Sequence, residues 1–258
     1  MQKDYKTLII YVLTLFVVVL LIVLKKQQAH VTELENEVVT QQDLETVLDS
    51  IDQEPIIEDS IDKKSTPMRG VIALIIDDFG YRNDHISNGF LELPGKLTYA
   101  IIPGHDHSQL FSKKAYDAGY EVIVHMPMEN IGKTYGEEEY VLMSYFQEDE
   151  IKERINKSFE HLPESIGLNN HQGSRGTADL RIMTLLAKEI KMNKKFFIDS
   201  RTTRNSLAEE TMRKYGVPTN ARDVFLDNEL DEEKINAQLL KLADVAERKG
   251  LAIGIGHV

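Results

Sequence analysis

Residues 71–80, VIALIIDDFG, run through a continuous apolar stretch rich in β-branched side chains and stop at two adjacent aspartates. An unbroken run of this kind is how a strand reads when both faces are buried in a parallel sheet. The same grammar recurs as LTYAII (97–102), EVIVH (121–125), SIGLNNH (165–171), KFFID (195–199), DVFLD (223–227) and LAIGIGH (251–257). Each short strand ends on or beside a polar residue.

Helical spacing fills the intervals between these runs. Ile151, Ile155 and Phe159 recur every four residues, while Leu180, Met183, Ala187 and Ile190, and Ile235, Leu239, Leu242 and Ala246, alternate threes and fours. Ser206 with Glu209 reads as a capping box and Asp231 as an N-cap; Gly119, Gly216 and Gly250 stand where C-terminal caps belong. Alternating strand and helix means βαβ units, and seven of them predict an α/β fold with a (β/α)7 barrel, incomplete relative to the eightfold one. An open doubly wound sheet is the alternative. It would usually carry a glycine-rich phosphate turn after its first strand, where this chain has DDFGYRND (77–84).

Upstream, residues 7–24 (TLIIYVLTLFVVVLLIVL) carry no charge and span roughly 27 Å as a helix, near the thickness of a hydrocarbon core. Residues 1–26 are therefore expected to be an uncleaved membrane anchor, with a signal peptide as the competitor. No small-residue cleavage site follows. Residues 27–67 form an acidic linker and residues 68–258 the folded domain. The acidic character of everything after the anchor favours its export. A formal charge of −12 argues against a nucleic-acid partner, and the lack of cysteine excludes thiolate catalysis, disulfides and iron–sulfur clusters.

In a parallel barrel the chemistry gathers at the C-terminal ends of the strands. That rule collects Asp77, Asp78, His105, His125, His171, Asp199, Asp227 and His257 on one rim. Acids and imidazoles without thiols suit a hard or borderline divalent cation. His30, His85 and His161 read as surface residues, and Met126 and Met128 as packing beneath the rim. Adjacent Asp77 and Asp78 are unlike a glycosidase pair, which faces a sugar from two sides.

IIDDFG (75–80), HMPME (125–129), NNHQGSR (169–175), FFIDSRTT (196–203), FLDN (225–228) and GIGH (254–257), in this order, resemble the divergent polysaccharide deacetylase family over about residues 68–258. The resemblance implies a distorted (β/α)7 barrel and metal-dependent removal of acetyl groups from cell-surface sugars. By position it implies Asp77 as general base, Asp78 as metal ligand and His257 as general acid. Zinc on one Asp and two His would lower the pKa of a bound water and polarise the acetyl carbonyl. The third strand supplies a single histidine, His125, so the second is expected from His171, with His105 behind it. Arg175, Asp199, Asp227 and His105 are then expected to orient substrate or ligands. Arg201 and Arg204 read as surface salt-bridge formers, with binding of an acidic polymer as their alternative. His257 is the penultimate residue, so this acid is expected on an end with no following helix to hold it. The function expected is that of a membrane-anchored, extracytoplasmic deacetylase of envelope polysaccharide, with an inactive glycan-binding barrel as the alternative.

Overall fold

A computed structural model describes residues 70–134 and 136–258, which lie in one unit, Thr66–Val258. The anchor, the whole acidic linker and residues 68 and 69 fall outside the described residues. Among the described residues, no helix is long and apolar enough to cross a membrane.

Eight strands form one parallel sheet: β1 (Val71–Phe79), β2 (Thr98–Ile101), β3 (Glu121–Met128), β4 (Gly167–Gln172), β5 (Phe196–Asp199), β6 (Thr219–Ala221), β7 (Val224–Phe225) and β8 (Leu251–His257). Their order is β6-β5-β4-β3-β2-β1-β8-β7. Six helices accompany them: α1 (His85–Gly89), α2 (Ser108–Asp117), α3 (Glu148–His161), α4 (Leu180–Met192), α5 (Ala208–Tyr215) and α6 (Glu232–Lys249).

The seven-strand expectation is therefore corrected to eight. The additional strand, β6, has only three residues, Thr-Asn-Ala, and lacks the apolar run by which the others announce themselves. The DVFLD strand shrinks to Val224–Phe225 because Asp227 turns to bond the amide of His257 and Leu226 is buried against α6.

The two edge strands are separated in sequence only by Arg222 and Asp223, so the sheet must curl until its edges approach each other. The Arg222 amide bonds to the Asp199 carbonyl on β5, and the next amide, Asp223, bonds to Ile253 on β8, both at 2.9 Å. Two consecutive peptides thus bridge the seam of an incomplete barrel.

Period-two alternation fills the interior. Ile75, Ala100, Ile123, Ile198, Ile253 and Ile255 form one buried cluster drawn from five strands. A second, larger core lies between sheet and helices, where Phe79 stacks on Phe111 at 4.1 Å between ring centroids. α6 covers β8 through Leu242, Val245 and Ala246.

Asp231 caps α6 as expected, accepting from the Lys234 amide, and Gly216 and Gly250 end α5 and α6 in the left-handed conformation. The Ser206 capping box does not form: α5 begins after Leu207, and the Ser206 hydroxyl, which donates to Asp199 Oδ2 at 2.7 Å, accepts from the Ala208 amide at 3.2 Å in place of the Glu209 amide. His161 is not a free surface residue; it is partly buried against the Tyr140 ring, 5.6 Å away.

A Cβ added at Gly254 would meet Leu242 Cδ2 at 2.5 Å. Gly254→Ala is expected to cost about 1–3 kcal/mol by overpacking, and Leu242→Ala about 2–5 kcal/mol by leaving a cavity. The double variant should cost less than the sum, because the new methyl enters the space that Leu242 vacates. Urea denaturation of all four proteins measures the coupling.

Candidate active site

Alternation carries the interior isoleucines straight into the rim. Ile75 is followed two residues later by Asp77, Ile123 by His125, Ile198 by Ser200 and Ile255 by His257. Positions two apart share a face of a strand, so each buried apolar side chain has a polar one above it.

In a regular strand Asp77 and Asp78 would point to opposite faces. Here the β1–β2 register shifts between Ile76 and Phe79, and Asp78 takes a φ of +68°. The bulge brings both carboxylates to one histidine. His125 Nε2 lies 3.2 Å from Asp78 Oδ1 and 3.6 Å from Asp77 Oδ2, and His171 Nδ1 lies 3.0 Å from the same Asp78 oxygen.

That oxygen is buried, and both ring nitrogens converge on it. Donor atoms of Asp78, His125 and His171 all lie within 4.8 Å of one another. Ligands about 2 Å from a tetrahedral ion sit roughly 3.3 Å apart, so this donor set fits a small divalent cation. Burial opposes ionisation of Asp78, but the two imidazoles outweigh it and hold the carboxyl far below the usual carboxylate range. Burial pushes the Asp77 carboxyl up, against the opposing pull of His125 and the Asn169 amide. Burial also disfavours a charged His125, yet Asp77 and Asp78 outweigh it and raise its proton affinity.

Asn169, fully buried opposite His125 in the β3–β4 register, links these groups. Its Oδ1 accepts from His125 Nδ1 at 2.7 Å and its Nδ2 donates to Asp77 Oδ1 at 2.8 Å. A histidine whose Nδ1 proton is engaged presents Nε2 as the ligand atom. Sequence reading passed over Asn169; the signal was its period-two relation to His171 on one strand face.

His257 closes β8 opposite Asp77. Its amide donates to Asp227 Oδ2 at 2.7 Å, its Nδ1 lies 3.1 Å from Asp227 Oδ1, and the Val258 amide donates to the Asp77 carbonyl. This pairing holds the residue expected on a loose end. Burial disfavours its imidazolium, but Asp227 outweighs the cost and raises its proton affinity.

The remaining expected residues lie apart from the cluster. His105 packs against the tilted Tyr81 ring, and its Nε2 faces Glu137 at 3.1 Å. Arg175 pairs with Glu129 at 3.4 Å. Asp199 accepts from the Arg201 amide and the Ser206 hydroxyl at the start of α5. A cavity of about 450 Å³ is lined by Asp77, Asp78, His125, His171 and His257, together with Ser200, Arg222 and Phe225.

Comparison with known proteins agrees with this architecture. The sequence pattern of the family described as divergent polysaccharide deacetylase matches residues 74–258. The chain belongs to the divergent polysaccharide deacetylase family. Within the curated proteins it is 34% identical over 193 residues to the uncharacterized protein YibQ of Escherichia coli, covering 75% of this chain and 60% of YibQ. An uncharacterized Haemophilus influenzae protein is 31% identical over 190 residues, covering 72% of this chain and 66% of that protein. The chain thus spans 60% to 66% of the length of these relatives. A crystal structure of an uncharacterized Agrobacterium tumefaciens protein shares the fold, with a TM-score of 0.69 at 23% identity over 74% of this chain and 79% of that one.

The left-handed Asp78 yields a direct test. Asp78→Gly and Asp78→Ala both remove the carboxylate, but only alanine retains a Cβ that opposes positive φ. The glycine variant is expected to be the more stable of the two by about 1 kcal/mol, as measured by urea denaturation of the metal-free proteins.

Proposed function

We propose that this chain is a metal-dependent deacetylase of N-acetylated cell-envelope polysaccharide, carried outside the cytoplasm on a membrane anchor formed by residues 7–24. One observation carries the reading: a buried carboxylate, an Asp/His/His donor set and a carboxylate-backed histidine line the same cavity. Family membership supports the substrate class.

Asp78, His125 and His171 would hold the ion, zinc being the best match to one carboxylate and two imidazoles. A bound zinc supplies Lewis-acid polarisation of the acetyl carbonyl and a water of lowered pKa. Asp77, next to that cluster, takes the proton of the attacking water; its raised proton affinity suits a base. Asn169 keeps Asp77 and His125 oriented through one amide. His257, its Nδ1 engaged by Asp227, gives a proton from Nε2 to the departing nitrogen as the C–N bond breaks. Acetate and the free amine result, which balances one water consumed.

Asp77→Asn is expected to retain about one zinc per chain while acetate release falls about 10²- to 10⁴-fold. Asp78→Ala and His171→Ala should lose both metal and activity, and His105→Ala should keep the metal. Elemental analysis and acetate release in the same samples decide this. Full metal content with no acetate from any N-acetylated glycan would refute catalysis and leave a binding barrel.

A second test uses pH. An acid must be protonated to act, so kcat/KM falls as pH rises past the pKa of His257. Asp227 favours the protonated imidazole, so Asp227→Asn lowers that pKa and moves the alkaline limb to lower pH. A pH profile of kcat/KM for both proteins measures the shift.

A further inference from the structure

Arg222 stands at the seam of the barrel and is half buried. Its Nε donates to the Ser200 carbonyl at 2.8 Å, its Nη2 lies 3.3 Å from the Arg201 carbonyl, and its guanidinium sits 4.7 Å over the Phe225 ring. Among the described residues no carboxylate lies within ion-pair distance of it, although Asp199 and Asp77 attract it from farther off. Neighbouring Arg201 differs, since its guanidinium is taken by Glu209 at 2.9 Å.

Beside Arg222, Ser200 is 93% buried by its relative exposure of 7%, and its Oγ has no hydrogen-bond partner. Ser200 follows interior Ile198 by two residues and lines the same cavity as Asp77 and His257. A buried hydroxyl without a partner is costly to leave unsatisfied. That hydroxyl, set beside a guanidinium with no carboxylate in direct contact and lining the same cavity, describes a ligand site more than a strut.

We infer that Arg222 and Ser200 form a carboxylate-binding subsite, so the substrate is an acidic glycan carrying a carboxylate on the sugar next to the acetylated one. One guanidinium edge and one hydroxyl match the two oxygens of a carboxylate. Phe225, packed between Arg222 and His257 with its ring 5.2 Å from the imidazole, offers an apolar face to the sugar ring that joins the two subsites. This assignment rests on the deacetylase reading for its turnover but not for its binding.

The test compares hyaluronan tetrasaccharide with the same oligosaccharide after its carboxylates are reduced to alcohols, using the zinc-loaded full chain. The wild type is expected to favour the carboxylated form in kcat/KM. Arg222→Gln and Ser200→Ala should reduce that preference about tenfold or more, chiefly through KM, and Arg222→Lys should fall between. If Arg222 only ties the seam, its substitution lowers both substrates in proportion. An unchanged preference ratio therefore overturns the inference.

Should Arg222→Gln fail to fold, Ser200→Ala, which removes a single oxygen, carries the same ratio test. If the wild type releases acetate from neither substrate, the deacetylase reading fails, and calorimetric titration of both oligosaccharides decides the subsite alone. Tighter binding of the carboxylated form, lost in Ser200→Ala, sustains it; equal binding of the two forms refutes it.

Discussion

Two neighbouring residues on a strand cannot share a face unless the backbone breaks its alternation, and the site depends on that break at Asp77–Asp78. The positive φ of Asp78 and the register shift in β1 bring a second carboxylate to the side where the first already points. Aspartate is among the few residues other than glycine that enter the left-handed region at modest cost. A bulky or β-branched residue there would resist the turn, and His125 would face one carboxylate in place of two. The strain is thus part of how the rim is built.

The rest of the barrel serves to hold that rim in place. Each interior isoleucine lies two positions below a polar rim residue, so packing of the apolar layer fixes the height and direction of Asp77, His125, Ser200 and His257 together. Parallel pairing then sets them beside one another, His257 opposite Asp77 and Asn169 opposite His125. The one place where the sheet cannot close is spanned by Arg222 and Asp223. An opening at the seam leaves polar backbone of the β5 end unpaired, and the Arg222 guanidinium supplies donors to it. The same side chain therefore joins the closure of the fold to the wall of the cavity.

Much of this was legible in the chain, for a physical reason. Strands inside a parallel sheet carry near-continuous apolar runs, which is why VIALII and EVIVH stand out although Val71 and Ile72 are exposed, and why Asp77, Asp78 and His125 at their ends are found by position alone. β6 escaped because a three-residue edge strand needs little apolar area. Ser206 was misread because a cap signature is local, whereas the carboxylate that captures its hydroxyl, Asp199, comes from β5. Asp199 itself was assigned to the rim although strict alternation from Ile198 gives the inward position to Ser200. Asn169 opens the NNHQGSR stretch and Arg222 stands just before FLDN, but their importance comes from register and from the seam, and both are properties of the closed sheet.

The two aspartates also show how position separates chemically identical groups. Both are largely removed from water and both lie beside His125, yet their proton affinities move in opposite directions. Asp78 faces two imidazoles through one oxygen, and their combined attraction exceeds the cost of burial. Asp77 is fully buried, and that cost prevails over the pull of His125 at 3.6 Å, the neutral Asn169 amide and the more distant His257. A carboxylate held ionised is suited to a cation, while one with enhanced basicity is suited to take a proton. Such a divergence between adjacent titratable groups is what separates ligand from base in a site built of like residues. Moving His171 away would narrow it, because Asp78 would lose one of the two imidazoles that hold it ionised.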